Sequence, residues 1–222
     1  MGSVAKLAGL ENQDYADYIE NDDFVVLALA DGVSSELKSK IGARLAVDSI
    51  LELFAEKGEF FFEFDNKTAI HIILEHILFK LTKEAYSNGR SINDYSSTLA
   101  AVMVNKKNKI GLLFNLGDST ILGFRDNKGY VLSKPFNTVY GTCVTTTRNA
   151  KSAVSLTIMD LEGFTSVMLL SDGLWKNMLK GGCIVLGDEE MVTGTNFGNL
   201  YDYIEYNDFN DDATVITLSF DV

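Results

Sequence analysis

The stretch Phe24-Val25-Val26-Leu27-Ala28-Leu29-Ala30-Asp31-Gly32 decides how this chain is read. A short unbroken apolar run of this kind fits a β-strand buried on both faces rather than one with a solvated side. The run stops at an aspartate followed by a glycine. A carboxylate at that point can leave the sheet edge, and the glycine lets backbone approach a ligand closely. The same order recurs at Leu170-Ser171-Asp172-Gly173, again after an apolar run. Asp118 follows Gly117 between two strand-like runs, Asp211 stands just before the last one, and Asn12-Gln13-Asp14 lies near the start. An Asp-Gly pair alone is a common turn. Several such carboxylates at strand ends that meet in one cleft would repel one another unless a positive charge sat among them. Oxygen ligands without a His or Cys cluster favour a hard cation, Mg²⁺ or Mn²⁺.

Outward from this strand, Ser34 or Ser35 suits a helix cap. Leu37, Ile41, Leu45, Ile50, Leu51 and Phe54 then fall at helical spacing, with Lys57-Gly58 fit to end the helix. A second helix is clearer: Ile70, Ile73, Leu74, Ile77, Leu78 and Leu81 form one stripe, closed by Asn88-Gly89. Strand-like runs follow over residues 98–104, 110–116 and 120–125. Lys107-Asn108 and Asn127-Lys128-Gly129 read as hairpin turns. Residues 153–159 and 166–171 are expected to pair across Glu162-Gly163. Residues 174–179 suit a short helix, 181–199 a glycine-rich loop or flap, and 213–220 a terminal strand. This is an α+β pattern, with two long helices packed on antiparallel sheet. With one proline and no linker-like segment, residues 1–222 are expected to form a single domain.

Composition removes several functions. The chain carries 19 basic and 31 acidic residues, a net charge of −12, which disfavours nucleic acid because phosphate contacts need clustered Lys and Arg. Cys143 and Cys183 match no zinc spacing and read as free thiols of a reducing compartment. His71 and His76 do not share a helix face, so neither a zinc site nor a Ser-His-Asp triad is built on them. No Walker glycine loop and no Gly-x-Ser-x-Gly occur. Asp208, Asn210 and Asp212 begin like a calcium loop, but Ala213 takes the position that needs glycine. No run reaches the roughly 20 apolar residues of a membrane span. Lys6 stands where a myristoylation signal wants Ser or Thr, and the first residues lack a signal-peptide pattern. The expected location is the cytoplasm, with no membrane partner.

The order of these motifs resembles the metal-dependent protein phosphatases, the protein phosphatase 2C family, and within it the small bacterial branch. The likeness runs through Asn12-Gln13-Asp14, Leu29-Ala30-Asp31-Gly32, the helix around residues 40–50, and Ser97-Thr98. It continues with Asn115-Leu116-Gly117-Asp118-Ser119, Leu170-Ser171-Asp172-Gly173-Leu174 and Asp211-Asp212-Ala213-Thr214. The resemblance implies a four-layer fold: a central β-sandwich of two antiparallel sheets flanked by helices, with a metal cleft at one end. It implies that Asp31 bridges two ions, that the Gly32 carbonyl binds the second, and that Asp172 and Asp211 complete the first. Asp118 with Asp172 would hold the third ion of some bacterial members. Asp31, Asp172 and Asp211 would then carry catalysis, with Asp14 and Gln13 behind them orienting water.

The activity implied is hydrolysis of phosphoserine or phosphothreonine by a metal-activated water, reversing a cognate serine/threonine kinase. Three positions depart from the family's habit. Gln13 stands for a frequent Glu, Val33 for a His that eukaryotic members place there, and Gly9 for a phosphate-clamping Arg, leaving Lys6 as the nearby cation. These departures motivate an alternative: a weakly active or inactive module on the same fold that binds a phosphoprotein or regulatory partner.

Overall fold

The computed structural model describes residues 11–126, 128–138, 141–180, 183–186, 190–191, 202, 204–206 and 209–220. Lys6, Gly9, Asn127, Asp208 and most of 181–199 therefore lie outside the described residues.

The chain opens with β1 (Tyr15–Glu20) and β2 (Phe24–Ala30), then two long helices, α1 (Ser39–Phe61) and α2 (Asn66–Ser87). Next come β3 (Leu99–Asn105), β4 (Ile110–Leu116), β5 (Thr120–Arg125) and β6 (Lys128–Ser133). A short hairpin follows, β7 (Asn137–Thr138) and β8 (Gly141–Thr142), and then β9 (Ser155–Asp160) and β10 (Ser166–Leu170). The remaining elements are α3 (Asp172–Met178), β11 (Leu179–Lys180), β12 (Cys183–Leu186), β13 (Glu190–Met191) and β14 (Val215–Ser219). Two antiparallel sheets form the body, in the orders β1-β2-β3-β4-β9 and β14-β10-β5-β6.

The unbroken apolar run of β2 follows from this stacking. Val25, Leu27 and Leu29 point between the sheets, with Ala100, Val102, Leu113, Ile121, Val167 and Leu169. Phe24, Val26, Ala28 and Ala30 point the other way, onto Val47, Ile50, Phe54 and the Ile73, Leu74, Ile77 and Leu81 stripe of the helices. On the far side, Leu122, Phe124, Met168 and Leu170 are covered by Leu174 of α3 and by Phe209. Alternate residues of one strand thus feed two separate cores.

Several local expectations change. Helix α1 begins at Ser39 rather than after Ser34 or Ser35, because the intervening backbone is tied elsewhere. Val33 N–H donates to the Ser96 carbonyl and Lys38 N–H to that of Asp94. The helix also runs through Gly58 to Phe61. That glycine is a packing site, where a Cβ would stand 2.9 Å from Met103 Sδ. Helix α2 gains a cap the apolar stripe does not reveal: the Asp65 carboxylate accepts from Thr68 N–H. The expected pairing of residues 153–159 with 166–171 is wrong. Strand β9 pairs with β4 and β10 with β5 and β14, so the Glu162-Gly163 turn carries the chain from one sheet to the other. Strand β6 already begins at Lys128, so the turn expected at 127–129 lies earlier. The described part of the expected 181–199 loop carries strands β12 and β13, which form a small sheet with β11 just before them. No described helix is long and apolar enough to cross a membrane.

Candidate metal centre

Strand register brings the aspartates together. Tyr15 opposes Ala30, Leu29 opposes Ala100, and Leu99 opposes Leu116, so the end of β2, the start of β3 and the end of β4 share one rim. In the second sheet Thr120 opposes Leu170 and Leu170 opposes Val215, which places the start of β5, the end of β10 and the start of β14 along a second rim. The two rims meet at a cleft of about 170 Å³ lined by Asp31, Gly32, Val33, Thr98, Asp118, Thr142, Asp172 and Asp211. Carboxylate oxygens of Asp31, Asp118 and Asp172 lie within 4.8 Å of one another. Asp211 lines the same cleft, and its charge acts on Asp31, but it stands outside that close trio. A larger open recess, about 920 Å³, lies beside the start of α2 among Asp65, Thr68, His71 and Lys151. It holds no such convergence of carboxylates.

The backbone around the cleft leaves no room for side chains at two glycines. A Cβ on Gly32 would stand 2.8 Å from the Ser39 carbonyl carbon and 2.9 Å from the Gln13 carbonyl oxygen. A Cβ on Gly173 would stand 2.1 Å from the Asp212 carbonyl oxygen. The 211–214 segment is held there by Ser171: its N–H donates to the Thr214 carbonyl, and its hydroxyl accepts from Thr214 N–H at 2.9 Å. The Gln13 N–H donates to Asp212 Oδ2 at 2.7 Å, which ties the start of the chain to the same corner.

Four partners around the aspartates carry no role in the sequence reading. Thr98 Oγ1 accepts from Asp31 N–H at 3.0 Å, and Thr98 N–H donates to the Asp31 carbonyl. The Thr142 hydroxyl donates to Asp118 Oδ2 at 2.9 Å. The Trp175 indole N–H donates to the Asp118 carbonyl at 2.6 Å. The Lys176 ammonium donates to Asp172 Oδ2 at 2.5 Å. Only the last could have been anticipated, since Lys176 follows Asp172 by one helical turn.

Crowded acids show the strain of their surroundings. Burial, then the charges of Asp14, Asp172 and Asp211, push the Asp31 carboxyl far above the usual carboxylate range. Burial and the Asp172 charge raise Asp118, against the Thr142 hydrogen bond. Burial pushes Asp14 up to about 6. Thr214, Asp31 and Ser171 lie close enough to oppose that rise, yet neither Asp14 oxygen meets hydrogen-bond geometry among the described residues. Partial burial disfavours the Lys176 ammonium, but its bond to Asp172 and the charges of Asp172, Asp118 and Asp211 outweigh this, and its pKa rises.

These groups fit a hard divalent cation. The donors are all carboxylate oxygens. Asp172 is nine-tenths buried, and its Oδ1 has no hydrogen-bond donor among the described residues. Burying unpaired carboxylates is costly unless they are protonated or bind a cation. The histidines take no part: His71 lies on the surface against Lys151 and Glu75. Cys143 is a free thiol.

A helix-flanked two-sheet sandwich with an acidic cleft between its rims defines a class of protein, and comparison gives that class a name. The model of the protein phosphatase 2C family matches residues 1–193, and the chain belongs to that family. Solved structures share its fold. A bacterial serine phosphatase is 17% identical, with a TM-score of 0.67, over 95% of this chain and 92% of that one. The serine/threonine phosphatase Stp1 from Staphylococcus aureus is 17% identical, with a TM-score of 0.66, over 96% and 90%. The S. agalactiae serine/threonine phosphatase is 19% identical, with a TM-score of 0.62, over 95% and 94%. No curated protein sequence matches.

Proposed function

We propose that this chain is a Mg²⁺- or Mn²⁺-dependent phosphatase that hydrolyses phosphoserine and phosphothreonine in a protein substrate. It works in the cytoplasm against a serine/threonine kinase, as one domain over residues 1–222. The observation that carries this reading is the convergence of Asp31, Asp118 and Asp172 within 4.8 Å in a protein phosphatase 2C chain. Asp31, Gly32, Asp118, Asp172 and Asp211 are assigned to holding two or three cations. Asp31, Asp172 and Asp211 are the catalytic set, and Lys6 is assigned to the phosphate. When bound, divalent cations supply Lewis acidity, acidifying a water and neutralising phosphoryl charge.

The chain's own residues position this chemistry. Thr98 fixes the backbone of Asp31 from both sides, and Thr142 and Trp175 hold Asp118 at its carboxylate and its carbonyl. Asp14 is buried beside Asp31, where it is assigned to orienting water. Gln13, through its N–H to Asp212, keeps that corner closed.

Purified protein should hydrolyse a phosphoserine peptide and p-nitrophenyl phosphate only with Mn²⁺ or Mg²⁺. Asp31→Asn and Asp172→Asn should each abolish turnover; unchanged turnover in both variants refutes the assignment. One observation favours the second reading, a module of little or no turnover that binds a phosphoprotein. Val33 puts an apolar side chain beside Asp31 and Gly32 in the cleft. Calorimetry with the phosphopeptide separates the two, since tight binding without metal-dependent hydrolysis favours the module.

A further inference from the structure

We infer that the Lys176 ammonium is the resident cation of the Asp118–Asp172 side of the cluster, so that a divalent ion binds there only by displacing it. The inference rests on the metal-dependent reading above and adds which part of the cluster takes cations readily. Asp172 and Lys176 are one turn apart on α3, and the lysine bends back so that Nζ meets Asp172 Oδ2 at 2.5 Å. The Asp118 and Asp211 charges act on the same ammonium. On this side each carboxylate already has one oxygen engaged: Asp172 Oδ2 by Lys176, and Asp118 Oδ2 by Thr142 at 2.9 Å.

The Lys176 charge acts on Asp118 as well, whereas it is not among the main influences on Asp31. Asp172 Oδ1 is buried and has no donor among the described residues, and an oxygen of Asp31 lies within the same 4.8 Å set. With Oδ1 unengaged, the Asp172 carboxylate could serve a divalent ion held together with Asp31 while the lysine stays in place. An ion held by Asp118 and Asp172 would share the Asp172 carboxylate with the ammonium, whose charge also acts on Asp118, and like charges at one ligand oppose each other. The lysine side chain is 51% exposed, so it can swing into solvent. The outcome is competition, which weakens this site without abolishing it.

The test is calorimetric titration of the metal-free full chain with MnCl₂, comparing wild type with Lys176→Gln and Lys176→Arg. Glutamine removes the charge from an exposed position and leaves the fold intact; arginine keeps the charge. The glutamine variant is expected to bind one more Mn²⁺ than wild type, or to bind its weakest Mn²⁺ at least tenfold tighter, while the arginine variant matches wild type. Equal stoichiometry and equal affinity in wild type and the glutamine variant overturn the inference and leave the metal reading standing. Absence of Mn²⁺ binding in all three proteins overturns the metal reading, and the inference with it.

Discussion

Gly173→Ala tests whether the cleft depends on a backbone contact rather than on the aspartates alone. The added Cβ would stand 2.1 Å from the Asp212 carbonyl oxygen, 2.9 Å from its carbon and 3.1 Å from Asp211 Cβ. Carbon–oxygen contacts seldom fall below about 3.3 Å, so the 211–212 backbone must retreat by about 1 Å. No side-chain rotation relieves it, because the obstruction is main chain. The segment is also held by two Ser171–Thr214 bonds, one between backbones and one from Thr214 N–H to the Ser171 hydroxyl, and by the Gln13 N–H on the Asp212 side chain, so the shift is resisted at three points. Overpacking of this kind costs about 1–3 kcal/mol. Asp211 moves with the backbone, and a misplacement of about 1 Å at a reacting centre can cost about a hundredfold in rate. Urea denaturation of the metal-free protein reads the first effect; Mn²⁺ titration and phosphopeptide hydrolysis read the second. Unchanged stability together with unchanged Mn²⁺ affinity would refute the reasoning, since the segment would then have to be loose.

Two further outcomes follow from contacts outside the aspartate trio. Trp175 is the chain's single tryptophan, and its indole hydrogen-bonds the Asp118 carbonyl, so Mn²⁺ binding should change intrinsic fluorescence, and Asp118→Asn should weaken that response; a flat titration in protein shown to bind Mn²⁺ would contradict the contact. Asp65→Ala should lower the melting temperature and leave Mn²⁺ affinity unchanged, because Asp65 caps α2 away from the cleft. The Thr68 hydroxyl and backbone hold the Asp65 carboxyl below its usual value. Its contribution is therefore present above the unfolded carboxylate pKa of about 3.9 and is lost as pH falls through the lower folded value. A melting difference between wild type and variant that does not shrink as pH is lowered beneath the unfolded carboxylate value would contradict this.

The strands legible in the sequence are those whose turns and cores agree. Residues 24–30, 110–116 and 120–125 are apolar because both faces are covered, and Asp-Gly, Lys-Asn or Gly-Asp bounds them. Strand β1 shows no such pattern because it is an edge strand, half-buried at its start and exposed at its end. The crossing at Glu162-Gly163 was illegible for a different reason. Gly163 takes a φ of 81°, which suits a hairpin turn as well as a passage between sheets. Only the partners of β9 and β10 decide between them, and those lie 40 or more residues away in the chain. Gly58 misled in the opposite direction: glycine after lysine reads as a helix end, whereas here it makes room for Met103.

The candidate site divides along the same line. Asp31, Asp118, Asp172 and Asp211 stood out because each ends or precedes an apolar run, a local signal that strand register turns into a common location. Their supports are long-range. Thr98 meets Asp31 across 67 residues, Trp175 meets Asp118 across 57, and Gln13 meets Asp212 across 199. None of these pairs leaves a periodic or compositional trace. Sequence position therefore names the acids, while the groups that set their geometry and charge come from the fold. This asymmetry makes Lys176 the informative residue. It is exposed and would pass as one more surface lysine of an acidic protein, yet its ammonium sits on the carboxylate that both halves of the cluster share. On the inference drawn above, cation affinity in this cleft should depend on how strongly that one side chain holds its place, as much as on the number of aspartates around it.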